Sequence, residues 1–281
     1  MQGDMANKPH SGVGFYGAVG GRVEIAGATM FRNVHQRAMT VPEHEHPVAY
    51  FALLLQGNYR EPGRGDEIYF TPFTTAYQPE GTRHRGKVEA CGCDFFTVEV
   101  GPEVMRENEA AKALGHPVLD CDGGKLLWLM LRLYSEYCQQ QTCCPLTVES
   151  LLLESLEAAS RGKRPSRDEP FRWRIMRDKM HDDFREPLRV KDLAEAAGVH
   201  PVHAARIFRR YSGRTPGEYL QQLRVQAACR MIAENSASLC AVAAQAGFAD
   251  QSHMNRIFKR VVGATPGAFQ RQFENGHALA G

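Results

Sequence analysis

Apolar and polar positions change rhythm twice along this 281-residue chain. From about residue 22 to 100 the apolar positions fall in short runs rich in Val, Phe, Tyr and Thr. Gly57, Pro62, Gly63, Gly65, Pro72, Pro79, Gly81 and Gly86 cut these runs apart. Closely spaced short strands with turn signals predict a β-sandwich or barrel. Residues 1–20, Gly-rich and polar, predict a flexible tail. Past Pro102 the spacing becomes helical. Residues 124–139 are apolar on nearly every side, which predicts a helix buried on most faces, and 146–160 predict a more amphipathic one. Residues 161–170 (RGKRPSRDEP) are charged, hold two prolines and have no apolar period, so they read as a linker. Beyond them Trp173, Met176, Met180 and Phe184 share one helix face, Pro187 ends that helix, and helical spacing continues to the end. The predicted organisation is a tail (1–20), a first domain (21–160, with a barrel at about 21–100 and helices at about 124–160), a linker (161–170) and an all-α domain (171–276).

The all-α region nearly repeats itself. RIFRRYSGRTPGEYLQQ (206–222) and RIFKRVVGATPGAFQRQ (256–272) agree at nine of seventeen positions, and LAEAAGV (193–199) answers VAAQAGF (242–248) upstream. A repeat of this kind is one structural unit used twice. Each copy predicts a short helix stopped at a glycine (Gly198, Gly247), a second helix entered at Pro201 or capped by Asp250, a stop at Gly213 or Gly263, and a Thr-Pro restart. Thr215 and Glu218 form a capping box, whereas the second copy has Ala268 where the glutamate would stand. This is a helix-turn-helix pattern. The helix between the copies, about 216–235, would be roughly 30 Å long at 1.5 Å per residue. One turn of B-DNA is about 34 Å, so both second helices can reach neighbouring major grooves. Leu220, Leu223, Ala227 and Met231 are expected to form the spacer's apolar line.

Charge follows the same division. Residues 171–281 carry 17 Lys and Arg against 10 Asp and Glu, while 1–170 carry 17 against 22. A basic third beside an acidic remainder suits a polyanion binder attached to something that is not one. The longest apolar run, 126–131, falls far short of the roughly 20 residues that span a bilayer. The N-terminus has no basic region followed by an apolar stretch, so no signal peptide is expected. Eight cysteines without framework spacing are expected to stay reduced in a cytoplasm. Cys91 and Cys93 would share a strand face, and Cys138, Cys143 and Cys144 cluster after the buried helix, which leaves a thiol sensor open beside a plain core role.

The C-terminal hundred residues resemble the AraC/XylS family of bacterial transcription regulators. The resemblance rests on GFADQSHMNRIFKRVVGATPGAF (247–269), on the weaker GVHPVHAARIFRRYSGRTPGEYL (198–220) and on Arg224. It implies that the helices starting near Pro201 and Gln251 lie in the major groove of double-stranded DNA. The base-facing candidates are then Val202, His203 and Arg206 in the first, and Gln251, Ser252, His253, Asn255 and Arg256 in the second. Arg206 and Arg256 suit bidentate contact with guanine, and Gln251 or Asn255 with adenine. Lys259, with Arg209, Arg210 and Arg260, is expected either to touch phosphate or to form a solvated face.

In the first domain, His44-Glu45-His46 with Gly57, and then Pro79-Glu80-Gly81-Thr82-Arg83-His84, resemble the two signature motifs of the cupin barrel. His44, His46 and His84 converging inside a barrel can hold Zn²⁺, Fe²⁺ or Mn²⁺. The glutamate of the family's ligand set is Tyr50 here, a poor neutral ligand. Three readings stay open: a metal-free pocket for an organic effector built on His44, His46, Tyr50 and His84, an occupied metal site, or a retained catalytic site. Tyr50, Phe51, Tyr69, Phe70 and Phe73 offer aromatic walls or barrel core.

The expected whole is an α+β multidomain protein: a cupin-like barrel with a helical dimerisation segment, then a double helix-turn-helix domain. Its expected function is sequence-specific DNA binding under the control of an effector, in the cytoplasm and without enzymatic activity. The expected partners are double-stranded DNA, a second copy of the chain and, for an activator, RNA polymerase. The alternative is a cupin metalloenzyme or metal sensor that uses His44, His46 and His84.

Overall fold

The structure, a computed structural model, describes residues 15–62, 67–120, 124–139, 142–161, 171–234 and 237–278. The chain divides into two compact units, Met1–Gly162 with Arg271–Gly281, and Lys163–Gln270. The proposed linker lies outside the described residues from 162 to 170. The end of the last helix groups with the first unit, so the second unit stops at Gln270 instead of the expected 276. No described helix is long and apolar enough to cross a membrane.

The first unit is built on eight antiparallel strands: β1 (Ala18–Ile25), β2 (Ala28–His35), β3 (Met39–His44), β4 (Tyr50–Pro62), β5 (Glu67–Phe70), β6 (Thr75–Gln78), β7 (His84–Val100) and β8 (Val118–Asp120). Helices α1 (Pro102–Glu107) and α2 (Glu109–Lys112) precede β8; α3 (Lys125–Cys138) and α4 (Pro145–Ser160) follow it. The ladder runs β1-β2-β7-β4-β6-β8, with β3 added to β7 and β5 to β4. Strands β2 to β7 all contribute to the lining of one cavity, which makes the sheet a barrel, although the ladder leaves β1 and β8 as edges. On the other face, Phe96 of β7 meets Tyr134 and Tyr137 of α3, with ring centroids 5.3 Å apart in both pairs. Beside them the buried Arg32 and Asp94 form an ion pair, which offsets the cost of burying either charge alone.

Two long strands switch faces half-way. In β4, Tyr50 and Ala52 line the cavity, and so do Tyr59 and Glu61, although strict alternation would turn that second pair outward. Register shifts lie between Leu54 and Gln56 and between Gly57 and Tyr59. In β7, His84 faces the cavity before the break, and Phe95 and Thr97 face it after. Gly57 (φ +80°), which pairs with Cys93, and the neighbouring Gly92 (φ +72°) take left-handed conformations beside these shifts, and the strands approach so closely that a Cβ on Gly57 would collide with the Gly92 carbonyl oxygen.

Several expectations change here. The tail does not include Phe15 and Tyr16: both are buried and β1 starts at Ala18, because Phe15 packs on Phe31, His46 and Tyr50 and Tyr16 packs on His44 along the cavity. Cys91 and Cys93 do not share a face, since the kink at Gly92 leaves Cys91 exposed and Cys93 buried. Of the proposed aromatic walls, Tyr50 and Phe70 line the cavity. Phe51 is buried against Tyr77 at 5.0 Å, Phe73 is wholly buried without reaching the cavity, and Tyr69 is exposed, bonding Glu67. Cys91, Cys93, Cys138, Cys143, Cys144, Cys229 and Cys240 are free thiols, and Cys121 is outside the described residues.

The second unit contains α5 (Phe171–Asp183), α6 (Val190–Ala196), α7 (Pro201–Ser212), α8 (Pro216–Ala233), α9 (Leu239–Gln245), α10 (Gln251–Val262) and the start of α11 (Pro266–Ala278). Trp173, Met176 and Met180 of α5 are buried with Leu193, Ala204, Phe208, Tyr219 and Leu223, so α5 completes the core of the first repeat. Arg224 of α8 ties the end of α5 down, donating from Nε to the Phe184 carbonyl at 2.7 Å and from its terminal nitrogen to the Glu186 carbonyl at 2.8 Å. Of the four positions expected to line α8, Leu223 is buried and the other three are half-buried. The buried face is Tyr219, Leu223, Val225, Ala228, Cys229 and Ile232, because the helix packs on both sides and its apolar stripe is broad. The capping box is present: Glu218 N–H donates to Thr215 Oγ1 and Thr215 N–H to the Glu218 carboxylate. At the second restart only the Ala268 N–H to Thr265 Oγ1 bond exists. Gly213 and Gly263 both take the left-handed stop.

Gly57→Ala combines an unfavourable φ with a collision against backbone. It is expected to destabilise the first unit by at least about 2 kcal/mol, read as a lower denaturant midpoint at unchanged slope.

Candidate functional sites

The barrel cavity is small, about 60 Å³, and sets a few polar side chains into a mainly apolar lining. His44, the last residue of β3, lies directly opposite His84, the first of β7. His46 follows just beyond the strand, so convergence depends on the turn there and not on strand alternation alone. His84 Nε2 is 2.9 Å from His44 Nε2 and 3.1 Å from His46 Nε2. Two nitrogens bound to one ion at 2.0–2.1 Å stand about 2.8–3.4 Å apart for octahedral to tetrahedral angles, so these spacings suit a shared metal.

The outer nitrogens support the same reading. His44 Nδ1 is 2.9 Å from the Pro42 carbonyl oxygen, a pure acceptor, so this nitrogen carries the proton and Nε2 presents its lone pair inward. His84 Nδ1 faces Glu61 Oε1 at 3.6 Å. A carbonyl and a carboxylate behind ligating imidazoles orient the rings and raise their basicity. Burial lowers the His44 pKa, and burial with the neighbouring His44 and His46 lowers that of His84 to about 3, so these rings are neutral donors near pH 7. Burial raises Glu61 to about 7. Tyr50, wholly buried, is pushed well above the phenol range and stays a neutral phenol. The residues present therefore fit a divalent metal held by three imidazoles, with coordination positions left open.

The histidines and Tyr50 named from the sequence all line this cavity. Glu61, Asn33, His35, Gln78, Phe15 and Tyr16 also line it and were not foreseen. Phe15 lies on His46 with ring centroids 4.1 Å apart and Tyr16 on His44 at 5.0 Å. Glu61 was hidden by the change of strand parity at Gly57, and Asn33 and Gln78 carry no motif.

In the second unit, α7 exposes Val202, His203, Arg206, Arg209 and Arg210, with Val202 62% accessible despite being apolar. The α10 face exposes Ser252, Arg256, Lys259 and Arg260. Gln251, His253 and Asn255 are half-buried: the Asp250 cap accepts the His253 N–H at 2.7 Å, and the His253 ring meets Phe248 at 5.7 Å. Ile257, Phe258 and Phe208 are core, and Ile207 packs partly against it. At 18 residues, α8 is about 27 Å long.

Comparison with known proteins decides what this repeat is. Residues 193–272 match the family model described as a helix-turn-helix domain. Residues 193–272 are an AraC-type helix-turn-helix domain. The chain is 33% identical over 73 residues to the uncharacterized HTH-type transcriptional regulator YobQ of Bacillus subtilis, covering 26% of this chain and 30% of that one. It is 37% identical over 60 residues to the HTH-type transcriptional regulator Rv1931c of Mycobacterium tuberculosis, covering 21% and 23%. The chain thus spans less than a third of either relative's length. Among solved structures, an AraC-type regulator from Chromobacterium violaceum aligns over 36% of this chain and 91% of its own, at 24% identity and TM-score 0.35. ToxT from Vibrio cholerae O395 aligns over 88% and 98%, at 9% identity and TM-score 0.39. Overlaps this weak carry no argument. Within the AraC-type domain, α7 and α10 are the second helices of its two helix-turn-helix units.

The purified chain is expected to hold about one equivalent of zinc, iron or manganese, as in three-imidazole sites, or to take it up on incubation. His44→Ala/His84→Ala should abolish this. Elemental analysis showing no metal above background in the parent chain would leave the cavity to an organic ligand.

Proposed function

We propose that this chain is a sequence-specific DNA-binding transcription regulator whose barrel holds a metal-linked site for a small-molecule effector. The observation that carries the reading is the duplicated helix-turn-helix with an exposed cationic face on each second helix: Arg206, Arg209 and Arg210 on α7, and Arg256, Lys259 and Arg260 on α10. An intervening helix of about 27 Å suits successive major grooves on one face of double-stranded DNA. Arg206 and Arg256 are the base readers. Ser252 and Gln251 flank Arg256, while His253 and Asn255 support the helix start and reach the groove only by turning outward. Val202 contacts a thymine methyl. Lys259 and the remaining arginines hold phosphate.

In the barrel, His44, His46 and His84 hold the metal, and Tyr50 and Glu61 shape what binds beside it. The metal supplies an electrophilic centre that fixes the effector. The chain's own residues orient the imidazoles, exclude water with Phe15 and Tyr16, and select the ligand. Effector binding changes how the two units of a homodimer present their reading helices, by shifting a pre-existing equilibrium. RNA polymerase is the further partner if the protein activates. The site binds rather than turns over its ligand, and the protein works in the cytoplasm. The triad itself favours a second reading, a metalloenzyme, which predicts turnover lost in His84→Ala and no sequence-selective DNA binding.

Selection of bound fragments from random duplexes, followed by titration in fluorescence anisotropy, tests the reading. Arg256→Ala is expected to cost about 1–3 kcal/mol on the selected site and to relax preference at one or two base pairs. Equal loss on random DNA would make Arg256 a phosphate contact, and no selectable sequence would overturn the proposal.

A further inference from the structure

Two amide side chains in the barrel have no task in holding the metal. Asn33 of β2 and Gln78 of β6 are 5% and 7% accessible, and both line the cavity that the three histidines enter. Asn33 Oδ1 and Gln78 Oε1 are buried without a hydrogen-bond partner among the described residues. An unsatisfied buried acceptor costs about 1–3 kcal/mol, so two in one small cavity call for a ligand that brings donors.

The rest of the cavity restricts that ligand. A volume of about 60 Å³ has room for about four water-sized groups, well below the roughly 300–1,000 Å³ of pockets for larger organic molecules. Three imidazole ligands bring no negative charge and leave a divalent ion with open positions, which attract an anionic oxygen donor. Glu61 faces the outer nitrogen of His84, Nδ1, at 3.6 Å and not the inner nitrogens, so it is not placed as a direct ligand that would neutralise the ion.

We infer that the effector is a small hydroxy- or amino-carboxylate of about five non-hydrogen atoms, its carboxylate on the metal and its O–H or N–H groups on Asn33 Oδ1 and Gln78 Oε1. This rests on the metal-site reading of the barrel. It goes beyond that reading by assigning the ligand's chemical class and the two side chains that select it. Simple fatty acids of the same size are rejected, because a methyl group offers no donor to either carbonyl oxygen, whereas a hydroxyl pairs one of them and an amino group can pair both.

The test uses the full chain loaded with Co²⁺, whose visible absorption reports ligand binding at the metal. Glycolate, glycine and propionate, equal in non-hydrogen atoms, are titrated. Glycolate or glycine is expected to bind at least about tenfold more tightly than propionate. Asn33→Ala and Gln78→Ala, made singly, should each shrink the glycine-to-propionate ratio severalfold while propionate affinity and the cobalt spectrum persist; one of them should do the same to the glycolate ratio. Propionate binding as tightly as both others in the parent chain overturns the inference without any variant. A ratio unchanged in both variants also overturns it, since chelation alone would then explain the preference. A chain that gives no cobalt spectrum, or one that His84→Ala leaves intact, refutes the metal reading itself, a failure distinguishable from loss of selectivity.

Discussion

The close passage of Gly57 against Gly92 is the constraint on which the barrel site depends. Two adjacent strands exchange inward for outward parity in this region, β4 between Leu54 and Tyr59 and β7 between Val88 and Cys93, and each break contains a left-handed glycine. Without that change Tyr59 and Glu61 would face away from Tyr50, and His84 would lie on the opposite face of β7 from Phe95 and Thr97. Only glycine permits the approach, because a Cβ at Gly57 would enter the van der Waals shell of the Gly92 carbonyl oxygen. The kink unites two half-strands into one lining, and it also fixes which cysteine is buried.

The polar groups gathered in this way are costly to bury, and their arrangement shows how the cost is offset. Arg32 and Asp94 neutralise each other on the outer face of the sheet. Inside, the solution differs: the imidazoles are neutral, two of their outer nitrogens face oxygen atoms, and their inner nitrogens face one another. A cation at their centre would take all three inner nitrogens as ligands while the outer oxygen atoms hold the rings in place. The two amide oxygens without partners are the part of the cavity that neither the fold nor the metal satisfies.

The helical unit rests on local rules applied twice. Each second helix ends at a left-handed glycine and each restart is capped by threonine, yet the copies are unequal. The first has the full capping box and takes α5 as an additional core layer through Trp173 and Arg224; the second lacks the glutamate. Their outer faces differ as well, with Val202 and His203 open on α7 and His253 and Asn255 half-buried on α10.

Much of this was legible in the residues. Helix starts and stops, the duplicated unit, the three histidines and the cationic outer faces follow from short-range rules, because capping, glycine stops and helical period act within a few residues of chain. The buried face of α8 was misjudged in part, since packing on both sides widens a stripe that periodicity assumes to be narrow. The tail was misjudged from Phe15 onward, since two aromatic residues after a polar stretch carry no periodic signal. Glu61, Asn33 and Gln78 were invisible for a stronger reason. Glu61 lies beyond a bulge that reverses the face of its strand, and Asn33 and Gln78 belong to no motif, so that only the closed sheet brings them to the cavity. The sequence alone determined what each segment becomes and which side chains can do chemistry. Only the tertiary structure decided which of them meet, because strand parity changes where Gly57 packs on the Gly92 backbone, a contact between residues thirty-five positions apart.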